Sequence, residues 1–189
     1  MELFRSLRIR AGRSMLSGRL AKTTRKQRYI NFCNIKSIGI VWDASNPEDF
    51  VNLSRFHQKM SEQNKEVKIF GFFPGNILPD QYVAIRFLTC LKKTEVDFLY
   101  RPVTPDSQSF IKTKFDVLID INFKKHFPLV YITFLSEAHL KVGLADSEPE
   151  SSPFDLMISL KSPVSIDSYL EQVIYYLEMI NSESVKKAV

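Results

Sequence analysis

The chain has 189 residues, of which 44% are hydrophobic and 25% charged, and its formal net charge at pH 7 is +5. This is the composition of an ordinary globular protein that can bury a core. Its two cysteines exclude a disulfide framework, and no apolar run approaches the ~20 residues that span a bilayer. Arginines interrupt the N-terminal apolar stretches, unlike in a secretory signal, so we expect a soluble cytoplasmic protein.

The positive charge is concentrated at the N-terminus, in residues 1–30, which we call the basic arm. Residues 1–28 contain nine Lys or Arg and one acid, so they carry +8 and leave −3 for residues 29–189. The candidate contacts for an anionic partner are Arg5, Arg8, Arg10, Arg13, Arg19, Lys22, Arg25, Lys26 and Arg28.

The spacing of apolar residues in the arm predicts an amphipathic helix. The stripe repeats every four positions and consists of Leu3, Leu7, Ala11 and Met15. Gly12 and Gly18 each weaken such a helix by about 1 kcal/mol relative to alanine. A helix of this kind is marginal alone in water, so we expect it to lie on another surface.

Four surfaces could support the arm: the protein's own domain, a nucleic acid, an anionic membrane, or the import machinery that reads mitochondrial presequences. Clustered Lys and Arg neutralise phosphates. A basic amphipathic helix also suits an anionic membrane. Aromatic residues are missing from the arm beyond Phe4 until Tyr29, so base stacking is not indicated by the sequence.

Behind the arm, the first half of the body alternates strands and helices. Short β-branched or aromatic runs predict strands at 35–43, 66–73 and 96–103. Helical spacing predicts helices at 44–63 and 80–93. In the first helix, Asn46, Pro47 and two acids form a favourable N-terminus.

The second half continues the alternation. A nearly continuous apolar run at 115–122 predicts a strand buried on both faces. An apolar helix at 128–138, strands at 140–145 and 154–160, and a final amphipathic helix capped by Ser165 follow. An acidic loop, Asp146–Pro153, separates the last two strands.

The alternation predicts one α/β domain over residues 31–189. We expect a Rossmann-like three-layer architecture, with a mostly parallel sheet and helices on both faces.

Polar residues follow three of the predicted strands, and ligands bind at this edge of parallel sheets. The candidate ligand-binding residues are Asp43, Ser45 and Asn46 after the first strand, and Asp120, Asn122 and Lys124 after the 115–122 strand. Lys125 and His126 follow the second set, and Ser159 and Lys161 form a third. Together they could hold a small anion. The plainer interpretation is that they cap helices and form turns.

Several enzyme classes lack their motifs in this sequence. There is no G-x-G-x-x-G, no G-x-x-x-x-G-K-[ST], no G-x-S-x-G and no H-E-x-x-H. His57, His126 and His139 lack metal-ligand spacing, and Cys33 and Cys90 are expected to be buried and reduced. The sequence therefore predicts no catalytic residue, no metal site and no particular cofactor.

Residues 114–144 are similar to part of the N-terminal lobe of bacterial heptosyltransferases. The likeness consists of "FDVLIDIN", "PLVYITFLSEA" and "LKVG", which correspond to that family's aspartate-bearing strand, apolar helix and following "R-I-G". The chain lacks that family's Gly–Asp loop after the first strand and is too short for its second lobe. The resemblance implies a single Rossmann-like lobe and transfers no catalytic residue.

Over its full length the chain resembles an uncharacterised family of short Bacteroidota proteins. The basic N-terminus, "IGIVWD", "FDVLIDIN" and the closing amphipathic helix carry this resemblance. It implies a bacterial cytoplasmic protein and argues against a mitochondrial presequence, and it supplies no activity.

The sequence favours a non-enzymatic binding or adaptor protein whose arm docks on an anionic partner, RNA or a ribonucleoprotein rather than a membrane. The alternative is an enzyme or sensor that binds a nucleotide or nucleotide sugar at the strand ends. A third possibility is a structural role, in which the arm packs on its own domain.

Overall fold

A computed structural model describes residues 2–145, 152–161 and 163–180 of the chain. Its centre is a six-stranded parallel sheet with the strand order β3-β2-β1-β4-β5-β6. The strands are β1 (Ser37–Asp43), β2 (Glu66–Phe73), β3 (Leu88–Lys92), β4 (Val117–Ile121), β5 (Leu140–Leu144) and β6 (Leu156–Ile158). This confirms the predicted α/β class, and the order reverses between β1 and β4, as in Rossmann-like sheets.

Helices cover both faces of the sheet. They are α1 (Glu2–Leu20), α2 (Phe50–Glu62), α3 (Pro105–Lys112), α4 (Phe127–Leu135) and α5 (Ile166–Met179). Helices α2 and α5 cover one apolar core, and α1, α3 and α4 cover the other. Between the two cores, β1 and β4 are buried almost throughout, which explains their continuous apolar sequences.

Helix starts follow the local capping chemistry. The Ser165 hydroxyl accepts a hydrogen bond from the Ser168 amide at the start of α5, as predicted. Asn46 caps a short 3-10 turn, Pro47–Asp49, and α2 begins directly after it. Thr104 caps α3, which the sequence analysis did not identify.

Two predicted elements in the middle of the chain are wrong. The helix expected at 80–93 is a 3-10 turn, Asp80–Tyr82, followed by β3. The strand expected at 96–103 is a loop with a single antiparallel bridge between Val96 and Pro102. Within 80–93, pairing with β2 makes the second half a strand, since a short apolar run is compatible with either a helix or a strand.

The predicted burial of the two cysteines is also partly wrong. Cys33 is exposed, and Cys90 is partly buried beside the edge of the sheet. Burial raises the pKa of the Cys90 thiol to about 12, so at neutral pH this thiol stays protonated. Of the predicted acidic loop, residues 146–151 lie outside the described part of the chain.

Helix α1 packs on α4, but through a different face from the predicted stripe. Leu7, Ala11 and Met15 are exposed. The contact face lies about a quarter turn away, where Leu16 is buried and Gly12 meets the body. A Cβ atom at Gly12 would lie 2.7 Å from the Leu99 carbonyl oxygen and 2.8 Å from a Phe127 ring carbon. Gly12 therefore permits the close approach of α1.

After α1 the chain runs without regular secondary structure along the edge where β4 and β5 begin. The Arg28 amide donates to the His139 carbonyl at 3.0 Å. Both terminal nitrogens of Arg25 donate to the Asp155 carboxylate at 2.6 Å, and one of them also contacts the Ala138 carbonyl. Such a bidentate pair fixes the direction of both side chains. The basic arm is thereby attached to the body through the middle of α1 and again near its C-terminal end.

Candidate functional site

The reversal of strand order brings the ends of β1 and β4 together. Asp43 ends β1, and its carboxylate oxygen Oδ1 lies 3.3 Å from His126 Nε2 in the loop after β4. The Ser45 hydroxyl donates to the same oxygen, and Lys124 Nζ lies 3.5 Å from Oδ2. Burial raises the pKa of Asp43, but hydrogen bonds from His126 and Ser45 outweigh it and hold the pKa well below its ordinary value. Asp43 is therefore ionised at physiological pH.

This cluster does not have the geometry of a catalytic serine relay. A relay needs one imidazole nitrogen on the serine and the other on the carboxylate. Here the same nitrogen, His126 Nε2, faces Asp43 and lies 3.4 Å from Ser45 Oγ. The serine also gives its proton directly to the carboxylate, so the imidazole has no proton to accept from it.

Asn122 shapes the cluster, and Asp120 in turn accepts a hydrogen bond from the Asn122 backbone amide. Asp120 is buried toward α4, where it accepts hydrogen bonds from the Thr133 hydroxyl and the Asn122 amide. Burial raises the pKa of Asp120 to about 6. The Asn122 side chain accepts from the His126 amide at 2.8 Å and donates to the His126 carbonyl at 3.0 Å. These bonds close the loop and aim His126 at Asp43.

The remaining predicted residues at this edge of the sheet do not join the Asp43 cluster, and acidic side chains lie beside it. Asn46 is exposed and donates to Asp49 Oδ1 at 3.2 Å. Glu48 and Asp49 occupy the positive end of the turn and helix, where an anionic ligand would otherwise be attracted. Ser159 and Lys161 are exposed after the edge strand β6. The strand-end cluster is thus poorly matched to a phosphate.

Three arginines of the arm are used to hold it on the body. Arg25 makes the pair with Asp155 described above. Arg19 donates to the Tyr131 hydroxyl at 2.6 Å. Arg8 donates to the Phe98 carbonyl, and its guanidinium lies 4.1 Å from the centre of the Phe98 ring and 4.6 Å from that of Tyr100. Planar guanidinium groups suit such bidentate and stacked contacts.

Five other cations of the arm are exposed. Within the described part of the chain their side chains have no hydrogen-bond, ion-pair or ring partner. They are Arg10, Arg13, Lys22, Lys26 and Arg28. Arg5 is also exposed, with its guanidinium 6.0 Å from the Tyr100 ring centre.

Two of the five line a groove of about 450 Å³ between the end of the arm and the body. The groove is bounded by residues 22–26, Lys114, Glu137 and His139. We call this the basic groove, and Lys22, Lys26 and Lys114 its lysines. His139 Nδ1 donates to the Lys26 carbonyl at 2.9 Å and so fixes that wall.

The basic groove is a positively charged cleft, and the segment of the arm that forms one wall is fixed to the body by hydrogen bonds. Glu137 is the one acid among its lining residues. None of the three lysines forms an ion pair with a described residue. The sequence did not predict a role for Lys114, because Lys114 comes near residues 22–26 only when the arm crosses the edge of the sheet where β4 begins.

Comparison with known proteins identifies a family but no characterised relative. The sequence matches a family of unknown function, DUF6913, over residues 9–180. The chain belongs to this family. No curated protein and no solved structure matches it. The DUF6913 match includes all six strands and the basic groove.

The match confirms the expectation of an uncharacterised family. The Bacteroidota origin and the heptosyltransferase likeness of residues 114–144 stay predictions. In the part of this DUF6913 protein that the structure describes, no helix is long and apolar enough to cross a membrane, and no three His, Cys, Asp or Glu side chains cluster as metal ligands.

Proposed function

We propose that the protein is a non-enzymatic binding module that docks on RNA or a ribonucleoprotein through the basic groove and the outer face of α1. The observation that carries the proposal is the groove itself, whose three lysines have no acidic partner among the described residues. Exposed lysines without an acidic partner give up no ion pair when phosphates bind, and their binding releases the counterions of the nucleic acid.

The helical spacing of α1 extends the positive surface. Gly12 and Leu16 face the body, so Arg10 falls toward the outer side of the helix and Arg13 on the adjoining flank. Both are exposed. A sugar–phosphate backbone can follow such a helix and enter the groove beyond its end. A bilayer surface is flat and cannot enter a groove, which favours RNA over a membrane as the partner.

The test measures RNA affinity against salt concentration for the full chain. Wild-type protein is expected to bind a labelled RNA with an affinity that falls as salt rises. Replacing the three groove lysines with glutamine should reduce the slope of log K against log[salt] by about 2–3, since each phosphate contact contributes about 0.7–0.9.

A matched control changes the same number of exposed lysines elsewhere: Lys59 on α2, Lys93 after β3 and Lys161 after β6. This control has the same net charge as the groove variant and is expected to keep nearly the wild-type slope. If the salt slope fell equally in both variants, RNA binding would depend on total charge and not on the groove. RNA binding that is absent or insensitive to salt would refute the proposal.

One observation favours the second candidate, a nucleotide or nucleotide-sugar site. Asp43, Ser45 and Lys124 meet at the reversal of strand order, which is where such sheets bind ligands. If this candidate is right, ATP, GTP or a uridine diphosphate sugar should raise the melting temperature with saturation. Asp43→Asn should then abolish the shift. A flat response to all three probes would exclude it.

A further inference from the structure

Beside the basic arm lies a strip of exposed apolar side chains that the helix contacts do not cover. Phe4 and Phe98 are each 72% exposed, and Leu7 and Met15 are 55% and 47% exposed. Single exposed apolar residues are common on proteins. Two phenylalanines exposed to this degree along one helix edge need a reason.

The loop that carries Phe98 is held firmly against α1. Asp97 accepts hydrogen bonds from the Leu99 amide at 2.9 Å and from the Arg101 amide and Nε at 2.9 and 2.7 Å. The Leu99 carbonyl lies against Gly12. Arg101 also donates to the Met15 sulfur at 3.3 Å. The Phe98 ring is therefore presented to solvent by a braced loop.

Arginine side chains alternate with the rings along this strip. The Arg8 guanidinium stacks on Phe98 at 4.1 Å and approaches Tyr100, and Arg5 lies 6.0 Å from the Tyr100 ring centre. Since Phe98 is mostly exposed, much of its surface stays open beside Arg8. Aromatic rings interleaved with arginine form the platforms on which unpaired bases stack, while the cations contact the backbone. The loop supplies the aromatic residues that the arm's own sequence lacks.

We propose that the partner is single-stranded RNA, whose bases stack on Phe98 and Phe4 while its backbone follows α1 toward the basic groove. This inference rests on the proposed function and specifies its ligand. A duplex hides the faces of its bases, so it can use the cations but not the rings. Because every base has a stacking face, binding should depend little on sequence.

The geometry also indicates the length of a stacked strand that would span this surface. Arg8 and the end of α1 at Leu20 are separated by roughly 18 Å at the rise of about 1.5 Å per residue in a helix. A stacked strand advances about 3.4 Å per nucleotide, so about five or six nucleotides are needed to reach from Phe98 to the groove. Oligonucleotides of four nucleotides should bind much more weakly than those of twelve.

The experiment compares labelled oligo(U) of four and twelve nucleotides with a twelve-base-pair RNA duplex, by fluorescence anisotropy on the full chain. We expect the long single strand to bind most tightly. Phe98→Leu keeps an apolar side chain but removes the ring, and it should weaken single-strand binding by roughly 5- to 150-fold, the range for one stacked base. Phe98→Tyr should restore it. Ile77→Ala removes another exposed side chain, 85% exposed beyond β2, and should change nothing.

The outcomes distinguish base stacking on Phe98 from the proposed RNA binding by the basic groove. If Phe98→Leu binds like the wild type while the groove variant still loses affinity, stacking is refuted and the proposed function stands. If neither RNA form binds with salt dependence, both fail. If phosphatidylserine vesicles bind the chain while RNA does not, the partner is a membrane surface and both proposals are refuted. Melting temperatures of the variants confirm that each is folded.

Discussion

Replacing the buried Lys141 with methionine should stabilise the protein at pH 7 and have almost no effect at pH 9.5. The Lys141 side chain is 3% exposed, and its Nζ donates to the Phe134 carbonyl at 2.9 Å. Burial, and to a lesser extent the nearby Arg25, lower the pKa of Lys141 from 10.5 to about 7, although Asp155 acts in the other direction. At pH 7 this lysine is therefore charged in only about half of the folded molecules, because burial makes its charged form costly.

The magnitude follows from the two pKa values. Between pH 7 and 10.5 the folded state holds fewer protons than the unfolded state, so stability rises with pH in this window. The resulting cost of Lys141 is about 4 kcal/mol at pH 7 and about 1.5 kcal/mol at pH 9.5. Methionine fills a similar volume without that cost, but it leaves the Phe134 carbonyl without its donor, a loss of about 1–2 kcal/mol. Lys141→Met should thus stabilise by about 2–3 kcal/mol at pH 7 and be nearly neutral at pH 9.5.

Urea unfolding followed by circular dichroism at pH 7, 8 and 9.5 measures this difference. Lys112→Met is the control, since Lys112 is exposed in the last turn of α3 and should respond little to pH. If Lys141→Met changed the free energy of unfolding by the same amount at all three pH values, the assignment of a buried lysine with a lowered pKa would be wrong.

Two further substitutions test the docking of α1 and the buried carboxyl. Gly12→Ala should destabilise the protein by about 1–3 kcal/mol, because the new methyl group meets the body. Gly18 has open space around it, so Gly18→Ala should stabilise the protein by up to about 1 kcal/mol. Equal effects of the two substitutions in thermal unfolding would contradict the docked helix. Because the pKa of Asp120 is raised from 3.8 to about 6, the free energy of unfolding should fall by about 3 kcal/mol as pH rises through this window. Asp120→Asn should remove this pH-dependent fall. An unchanged pH dependence of the urea midpoint between pH 4 and 7 would refute that assignment.

The sequence was informative wherever a local pattern and its environment agreed. The apolar run of β4 and the capped, amphipathic α5 could be predicted because burial on two faces and on one face leave different periodicities. The same reasoning failed at 88–92, where apolar residues fit either element. There, pairing of β3 with β2 across Phe72 and Leu91 selects the strand, and no residue within the segment encodes that partner.

The same distinction governs the candidate sites. Asp43 could be predicted at a strand end, but its contact with His126 requires the loop closed by Asn122. On α1 the sequence offers two apolar stripes about a quarter turn apart. The stripe that contains Gly12 is the buried one because Phe127 and the loop before α3 leave room there only for a residue without a side chain.

The three cations that anchor the arm are all arginines, although Arg10, Arg13 and Arg28 are exposed without a described partner. The anchors Arg8, Arg19 and Arg25 use planar guanidinium groups on rings, a hydroxyl and a carboxylate, and the groove cations without an acid partner are lysines, which act as hydrated point charges. Removing the whole arm would therefore strip Leu16 from the core and leave Asp155 as a buried, unpaired carboxylate. A truncated chain that failed to bind RNA could simply be unfolded. Substitutions confined to the groove lysines separate the charge of the arm from its structural role, because these side chains have no described ion-pair partner to lose.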